Sequence, residues 1–398
     1  MTPEQAQVTQ VVEPAVATGE DTLKSWTWFG YKAADAVATR ASAALSRVSP
    51  MPRNAIADAD YLRAALGNAW FLFPLIGFAM GIVAIVNSKG LPLPPATAIF
   101  LIIVVLGCFD ASAGLVATTV FLAGTVVTGH FDSLHAVAGI FGLGAMWFGA
   151  AKLAHEFRIL RTWDTEPTAA LRNWRIAGDI IILPIAGAFL IGKLAEVFPY
   201  LTGLRVPIAR DSNLIIVVAF IALMVRAMLQ SAVIHNYRNR LAEVQTPKQV
   251  TRWPAASVVS FFVRAFVAYA VIWSFLGNTV QTWIVLLLFI SFEPIGYLGY
   301  LYGPENEVIH RFVPRNLLKL TVIILFAELL ILWLAPKYHS VQQLTGWTFV
   351  WLGVFVVALL ILEQFRGTDW PERWAFRILG ALSIVFFVLV IQGYVKIA

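Results

Sequence analysis

Five ionisable residues lie inside long apolar stretches of the chain: Asp110, Arg226, Arg264, Glu293 and Glu328. A charged group at membrane depth is costly, so such residues belong to ion or substrate pathways, proton relays or structural ion pairs. We take these five as the candidate site, on a substrate or ion pathway. We predict no catalytic residue, no metal site and no cofactor, because no complete metal-ligand or nucleophile motif is found.

Arg264 and Glu293 are predicted to form an ion pair. At 1.5 Å per residue, Arg264 lies about 13 Å and Glu293 about 10 Å from the same end of two successive helices. A short turn at Gly277 joins these helices into an antiparallel hairpin. The pair is either a static contact that lets both helices insert, or part of an ion site. The second alternative rests on Pro294 and Gly296, which favour a helix broken beside a carboxylate, as in several transporters.

The other three candidates have weaker local patterns. Glu328 has no basic residue near the centre of its own helix, so it is either a neutral acid that carries a proton or a helix–helix hydrogen-bond partner. Arg226 lies about seven residues from its helix end, and we expect it to snorkel to the cytoplasmic interface. Asp110 precedes a helix rich in small residues. We predict that it caps this helix, which packs tightly on the next, glycine-rich helix, with an ion or substrate site as the alternative.

Composition identifies the elements that must position these residues. Of the 398 residues, 59% are hydrophobic and only 13% are charged, whereas soluble domains have roughly 45–50% apolar and about 25% charged residues. A bilayer core of about 30 Å requires about 20 apolar residues per helix. We therefore predict an all-α, polytopic integral membrane helical bundle, placed in the cytoplasmic membrane of a bacterium.

Eleven apolar segments are predicted to cross the membrane. They lie at approximately 69–87, 93–109, 111–128, 136–153, 177–197, 213–233, 255–276, 279–300, 317–335, 346–364 and 376–395. With the N-terminus inside and the C-terminus outside, 21 of the 29 Lys and Arg residues fall on the cytoplasmic side, as the positive-inside rule requires. This count depends on the chain reversing direction at Asp110, through either a tight hairpin or two re-entrant half-helices.

The N-terminal part of the chain has a different character. Residues 1–22 are polar and acidic, which predicts a disordered tail. Residues 23–48 have apolar positions at spacings of three and four beside basic residues, which predicts an amphipathic interfacial helix on an anionic leaflet or on a partner helix. Prolines after Ser49 end this helix, and 49–68 is interpreted as a linker to the transmembrane domain, 69–398.

These patterns leave three functions open. The intramembrane charges favour a transporter or channel-like permease of unspecified substrate. The alternative is a membrane-embedded anchoring or assembly component that recruits a cytoplasmic or membrane protein through 23–48 and the basic loops. A lipid-processing enzyme is third, because the motifs of known intramembrane enzymes are not found. The net charge of +6 is attributed to topology, so we expect the bilayer, and no nucleic acid, as a partner.

Overall fold

The computed structural model describes residues 32–47, 49–149, 169–236, 241, 244, 254–314, 316–366 and 382. Almost all of these residues are helical. Within these ranges the only β-structure is one isolated bridge between Glu305 and Arg366. The all-α prediction is therefore confirmed for the described part of the chain.

The helices follow one another with short connections. We number them α1 (Lys32–Ser46), α2 (Pro50–Asp58), α3 (Asp60–Leu66), α4 (Leu72–Asn87), α5 (Thr97–Phe109), α6 (Ala111–Val127), α7 (Leu134–Gly144), α8 (Ala169–Thr202), α9 (Ser212–Asn236), α10 (Pro254–Leu276), α11 (Val280–Tyr302), α12 (Glu307–Phe312), α13 (Asn316–Leu334) and α14 (Val341–Glu363). Short 3-10 turns occupy Gly67–Phe71 and Pro207–Ala209, and a π-turn, Ala145–Gly149, continues α7.

Six helical stretches are long and apolar enough to cross a membrane, which indicates an integral membrane protein. These are Asp60–Asn87, Pro184–Thr202, Ser212–Val233, Ala256–Leu276, Val280–Gly299 and Val341–Glu363. Four further apolar helices are shorter: Thr97–Phe109, Ala111–Val127, Leu134–Gly149 and Val322–Leu334. Each of the first ten predicted segments thus contains an apolar helix. The eleventh, 376–395, lies outside the described residues apart from Leu382.

Helix α1 is the described part of the predicted amphipathic segment, and its buried stripe packs on the chain itself. Ala34, Ala38 and Ser42 on this stripe are buried, because α1 packs against α2 and the first 3-10 turn. The Ala34 amide also donates a 2.8 Å hydrogen bond to Asn68 Oδ1. The apolar positions that we expected on a leaflet or on a partner helix lie on another face of α1, where Val37 is 50% exposed, so their docking role stays a prediction. The tail, 1–22, lies outside the described residues.

The segment that we interpreted as a linker is helical. The Ser49 side chain accepts a 3.2 Å hydrogen bond from the Met51 amide and caps α2, with Pro50 in the first turn. Proline is tolerated there because the first amides of a helix have no partner within the helix. The prolines therefore separate α1 from α2, and the chain continues as a helical layer into α4.

The chain reverses direction at Asp110, as predicted. Gly107 and Gly114, on either side of it, lie so close that a Cβ on Gly114 would be 3.1 Å from Gly107 Cα. Residues seven apart in one straight helix are instead about 10 Å apart. Helices α5 and α6 therefore form a hairpin with a single residue, Asp110, between them.

Small residues set the packing of this hairpin. A Cβ on Gly77 of α4 would lie 2.4 Å from the carbonyl oxygen of Ala113, and one on Gly124 would lie 2.5 Å from Ile85. These pairs show α4 and α6 running parallel in close contact, which we did not predict. The predicted packing of α6 on the next, glycine-rich helix is also present, because a Cβ on Gly144 of α7 would lie 3.0 Å from Thr118 of α6.

The core lies mainly among α4–α9, which we call the first part of the bundle. Helices α10–α14 make up the second part. Phe100, Phe121 and Trp147 are fully buried, and the rings of Phe121 and Trp147 meet edge to face with centroids 5.5 Å apart. In the most apolar stretches of α8 and α9, 44% and 39% of residues are buried, against 11% in both α10 and α11. The second part of the bundle is therefore more open.

In the second part, helix α14 packs against both α11 and α13. Gly353 of α14 approaches Leu288 of α11. Phe326 and Phe355 stack with centroids 3.9 Å apart, which joins α13 to α14. Lys319 and Glu363 add an ion pair of 2.6 Å between the same two helices. These contacts leave much of α10 and α11 exposed.

Candidate functional site

Two arginines and three aspartates are buried where the N-terminal helices meet the bundle. We call Asp35, Asp58, Arg63, Asp110 and Arg226 the buried ionic cluster. Each has at most 6% of its surface exposed. They come from α1, the end of α2, α3, the α5–α6 junction and α9. The cluster therefore joins the N-terminal layer to two separate parts of the bundle.

Arg226 is the central cation of the cluster. Its Nη2 donates to Asp58 Oδ1, and its Nη1 donates to the carbonyl oxygen of Cys108 at 2.8 Å. Cys108 lies in the last turn of α5, where carbonyl groups have no partner within the helix and carry partial negative charge. The guanidinium also lies 5.7 Å from the ring centroid of Tyr61. Arg226 thus connects α2, α3, α5 and α9.

The prediction that Arg226 snorkels to the interface is wrong. Its side chain is 1% exposed, whereas a snorkelling side chain keeps its charged end in water. The physical reason is the nearby carboxylate of Asp58. A buried cation is stable only when paired and hydrogen-bonded, and α2 places Asp58 where the guanidinium can meet it without leaving the protein.

Asp110 caps α6, as predicted. Its Oδ1 accepts hydrogen bonds from the Ser112 amide at 2.8 Å and from Ser112 Oγ at 2.6 Å. Its Oδ2 accepts one from Trp70 Nε1 at 2.9 Å. A carboxylate at a helix N-terminus also interacts favourably with the helix dipole. Three donors therefore hold the aspartate at the point where the chain reverses.

Arg63 holds α1 in place. Its Nη1 donates to Asp35 Oδ1 at 2.5 Å, and the guanidinium lies 5.9 Å from the ring centroid of Trp70. Trp70 in turn donates to Asp110. A chain of contacts therefore leads from α1 through α3 to the α5–α6 junction.

Several donors in and beside the cluster have no acceptor within the described part of the chain. They are Nε and Nη2 of Arg63, Nε of Arg226 and Nε2 of Gln230. An unsatisfied buried donor costs about 1–3 kcal/mol. Arg226 and Gln230 are four residues apart on α9, and therefore on one face.

The predicted ion pair between Arg264 and Glu293 is present, at 2.6 Å. Arg264 Nε also donates to the Ser260 carbonyl oxygen at 3.2 Å. Both charged side chains are 50% exposed, so this pair lies on the surface of the α10–α11 hairpin. Helix α11 continues without interruption past Pro294. The helix break that the second alternative expected beside Glu293 is therefore absent, because one proline removes only one backbone donor from a helix of 23 residues.

Glu328 lies apart from both groups. It is exposed on α13, and it has no hydrogen bond or ion pair with another described residue. The five predicted residues therefore separate into three locations. Asp110 and Arg226 lie in the buried ionic cluster, Arg264 and Glu293 form the surface pair, and Glu328 stands alone.

Sequence reasoning missed most of the buried ionic cluster. Asp58, Tyr61 and Arg63 fall in the segment interpreted as a linker, and Asp35 falls in the amphipathic helix. The missed signal is the run from Ala55 to Ala65, in which charged residues alternate with alanines. Alanine has the strongest helix propensity, and charges on a helix directly before an apolar span are in a position to meet charges inside the bundle.

The described residues contain no group of three or more His, Cys, Asp or Glu side chains that could hold a metal ion. Comparison of the whole chain with protein-family models, with curated proteins and with solved structures finds no match.

Proposed function

We propose that the protein is a channel-like permease or transporter whose inner end is closed by α1–α3 and locked by the Asp58–Arg226 pair. The observation that carries the proposal is this pair, in which both side chains are 1% exposed. Arg226 belongs to an apolar helix long enough to span the membrane, whereas Asp58 belongs to α2, with only nine residues. The lock therefore joins a spanning helix to a peripheral one.

Energetics support a gating role for this pair. Removing a guanidinium from water is expensive, and buried ion pairs are often no more stabilising than apolar side chains of the same size. This pair also joins two separate helices, so breaking it would allow α2 to move away from α9. Ionisable residues inside membrane segments are costly and commonly mark transport pathways.

Irregular backbone at the level of the cluster also supports the proposal. Helix α5 ends and α6 begins at Asp110. The carbonyl oxygen of Trp147, in the π-turn after α7, points at Gly107 and Gly114, where an added Cβ would lie 1.5 Å and 2.3 Å from it. Helix ends and π-turns gather at the substrate sites of transporters.

The proposal keeps the topology of eleven spans with the N-terminus inside and the C-terminus outside. The charge asymmetry of the sequence and the reversal at Asp110 support it. In this orientation the buried ionic cluster lies at the cytoplasmic end of the bundle, and the surface pair lies within the membrane.

Gate opening is testable without knowledge of the solute. A cysteine at Gln230, on a Cys108→Ala background, is labelled with a membrane-impermeant maleimide in inside-out vesicles. We expect slow labelling, and at least tenfold faster labelling when Asp58→Asn breaks the lock. A cysteine at Ile215, fully buried on the same helix, serves as the matched control and remains unlabelled. Equal rates at Gln230 with and without Asp58→Asn contradict the gate.

Flux provides the second measurement. Proteoliposomes are exposed in turn to gradients of H⁺, Na⁺ and Cl⁻, each followed with an ion-sensitive dye. Asp58→Asn is expected to accelerate the loss of at least one gradient several-fold. Glu363→Gln, which breaks the ion pair with Lys319 far from the cluster, leaves the rates unchanged. Unaltered rates for all three ions in Asp58→Asn argue against a channel-like permease.

Native mass spectrometry separates this proposal from the assembly component. A protein partner that co-purifies from native membranes in fixed stoichiometry favours the anchoring function. The chain purified alone favours the permease. The described part of the amphipathic segment leaves Val37 and Leu45 about half exposed, and this face is where such a partner would bind.

A further inference from the structure

Helix α1 has a second face, opposite its buried stripe, that carries apolar and basic side chains. Five exposed residues at spacings of four and three form this outer face: Ala33, Val37, Arg40, Ala44 and Arg47. Residues at these spacings are neighbours on one side of a helix. Arg47 directly follows α1, and the helical turn continues there, because the Ser49 amide donates to the Leu45 carbonyl oxygen at 3.0 Å. The two arginines therefore lie beside Val37, which is 50% exposed.

The outer face of α1 is positively charged. Arg40 and Arg47 form no hydrogen bond or ion pair with another described residue. The acids of α1–α3 lie elsewhere, since Asp35 and Asp58 are buried in the ionic cluster. Asp60 is partly buried and accepts a 2.7 Å hydrogen bond from the next backbone amide. Two exposed guanidinium groups are thus available to an anionic ligand, and no carboxylate on the same face competes for them.

The inner contacts of α1 place it at a boundary of the membrane. Asp60–Asn87 is one of the six stretches long enough to cross, and it has 28 residues. At 1.5 Å per residue it extends about 42 Å, so it passes beyond a hydrocarbon core of about 30 Å into the headgroup layers. Asn68, in the first third of this stretch, accepts the hydrogen bond from the Ala34 amide. Helix α1 therefore lies at the depth where headgroups give way to hydrocarbon.

The orientation of α1 about its own axis is fixed. Ala34 and Ala38 are 1% and 2% exposed against neighbouring helices. Arg63 holds the same side through Asp35. Rotation of α1 would break this buried ion pair and expose the packed alanines. The outer face is therefore the side of α1 that remains for a ligand.

We propose that the outer face of α1 binds the headgroups of anionic phospholipids in the leaflet next to it. Arginines beside a shallow apolar stripe are typical of helices that lie in the membrane interface, and an anionic leaflet attracts each basic residue close to its surface. The apolar part of the face consists of Val37 and two alanines. Protein interfaces usually depend on large buried anchors such as Trp or Tyr, so the composition favours headgroups over an acidic protein.

Quenching by lipid tests this contact in the full chain. Ala44→Cys, on a Cys108→Ala background, carries a fluorophore, and the protein is reconstituted with a phospholipid that has a spin label on its headgroup. Vesicles of phosphatidylcholine are compared with vesicles in which one third of the phospholipid is phosphatidylglycerol. We expect at least twofold stronger quenching with phosphatidylglycerol. The excess should disappear in 1 M salt, where the screening length is about 3 Å.

Substitution of the two arginines tests their role. Arg40→Gln combined with Arg47→Gln is expected to remove the difference between the two vesicle compositions. Arg205→Gln combined with Arg210→Gln is the matched control, because it removes the same charge from two exposed positions between α8 and α9, and it keeps the difference. Lysine at positions 40 and 47 is expected to keep more than half of it, since the attraction depends on charge. The salt measurement leaves both arginines in place and remains valid if the double glutamine variant does not fold.

Three results overturn the proposal. One is equal quenching in the two vesicle compositions, and another is an unchanged difference in the folded Arg40→Gln, Arg47→Gln protein. The third is a protein from native membranes that stays bound to the wild-type chain and is released by these two substitutions but not by phosphatidylglycerol, which assigns the face to a protein partner. None of them bears on the maleimide labelling of Gln230→Cys, because that experiment reports opening of the lock.

Discussion

The two parts of the bundle carry their intramembrane charges in opposite ways. In the first, Arg226 is buried against Asp58 and a helix-end carbonyl. In the second, Arg264 and Glu293 form a pair that is half exposed on a loosely packed hairpin. Ion pairs of the same residue types in apolar helices are thus fully buried in one place and half exposed in the other.

From this difference we expect burial, and not the presence of a charge in an apolar helix, to decide how strongly the fold depends on the charge. Loss of either partner of a buried pair is strongly destabilising, because the remaining charge is neither paired nor hydrated. Loss of one partner of an exposed pair costs less, because water hydrates the remaining charge. The predictions below use this contrast, from the largest expected effect to the smallest.

Loss of the central cation is expected to have the largest effect. Arg226→Leu leaves Asp58 buried without its guanidinium partner, which costs about 3–5 kcal/mol in comparable buried pairs. The thermal midpoint of the purified protein in detergent, followed by size-exclusion fluorescence, measures the loss. Arg264→Leu is the matched variant in the second part of the bundle and is expected to lower the midpoint far less. Similar losses for the two arginines would contradict the expected difference between the buried and the exposed pair.

Replacement of glycine by alanine is expected to show the same contrast between the two parts of the bundle. A Cβ on Gly114 would lie 2.3 Å from the Trp147 carbonyl oxygen, whereas one on Gly296 of α11 meets open space. Gly114→Ala is therefore expected to destabilise the protein by about 1–3 kcal/mol through overpacking. Gly296→Ala is expected to stabilise it by up to about 1 kcal/mol through helix propensity. Thermal midpoints of both variants provide the test, and a stable Gly114→Ala protein would contradict the close approach of α7 to the hairpin.

The sequence predicted the fold class, the helical segments and some local contacts, because these follow from neighbouring residues. Asp110 caps α6 through an amide two residues away, and Arg264 meets Glu293 across a short hairpin. The similar distances of Arg264 and Glu293 from the same end of two adjacent helices were enough to predict that pair. The number of membrane crossings stays a prediction, since four of the apolar helices are shorter than the six long ones.

The partner of Arg226 was not predictable in the same way. Asp58 is 168 residues away along the chain, and no local pattern links the two. The contact of α4 with α6 is also a long-range outcome, because no local pattern shows which glycine-containing faces will meet. If the alanine-rich run before residue 66 had been interpreted as a helix, its charges would have been placed at the end of the bundle. That interpretation would still not have identified the cation that they meet.

Substitution in the surface pair is expected to lower the stability less. The size of this loss shows whether the pair faces water or lipid. If Arg264 and Glu293 line a water-accessible pathway, Glu293→Gln costs about 1 kcal/mol or less, as exposed ion pairs do. We expect this result, together with labelling of Glu293→Cys by an impermeant maleimide. A loss near 3 kcal/mol, the scale for an unpaired charge at the centre of a membrane helix, would show that the pair faces lipid and would exclude it from a pathway.

Glu328 is expected to give the smallest effect on stability. It is exposed and has no partner among the described residues, so Glu328→Gln should change the free energy of unfolding by no more than about 0.5 kcal/mol. Its effect on ion flux is a separate question, because a carboxyl that carries a proton contributes to function without contributing to packing. Unchanged stability with a reduced rate in the H⁺ gradient assay supports a proton carrier on α13. Unchanged stability and flux together limit the pathway to the other candidate residues, since an exposed carboxyl that affects neither has no part in folding or transport.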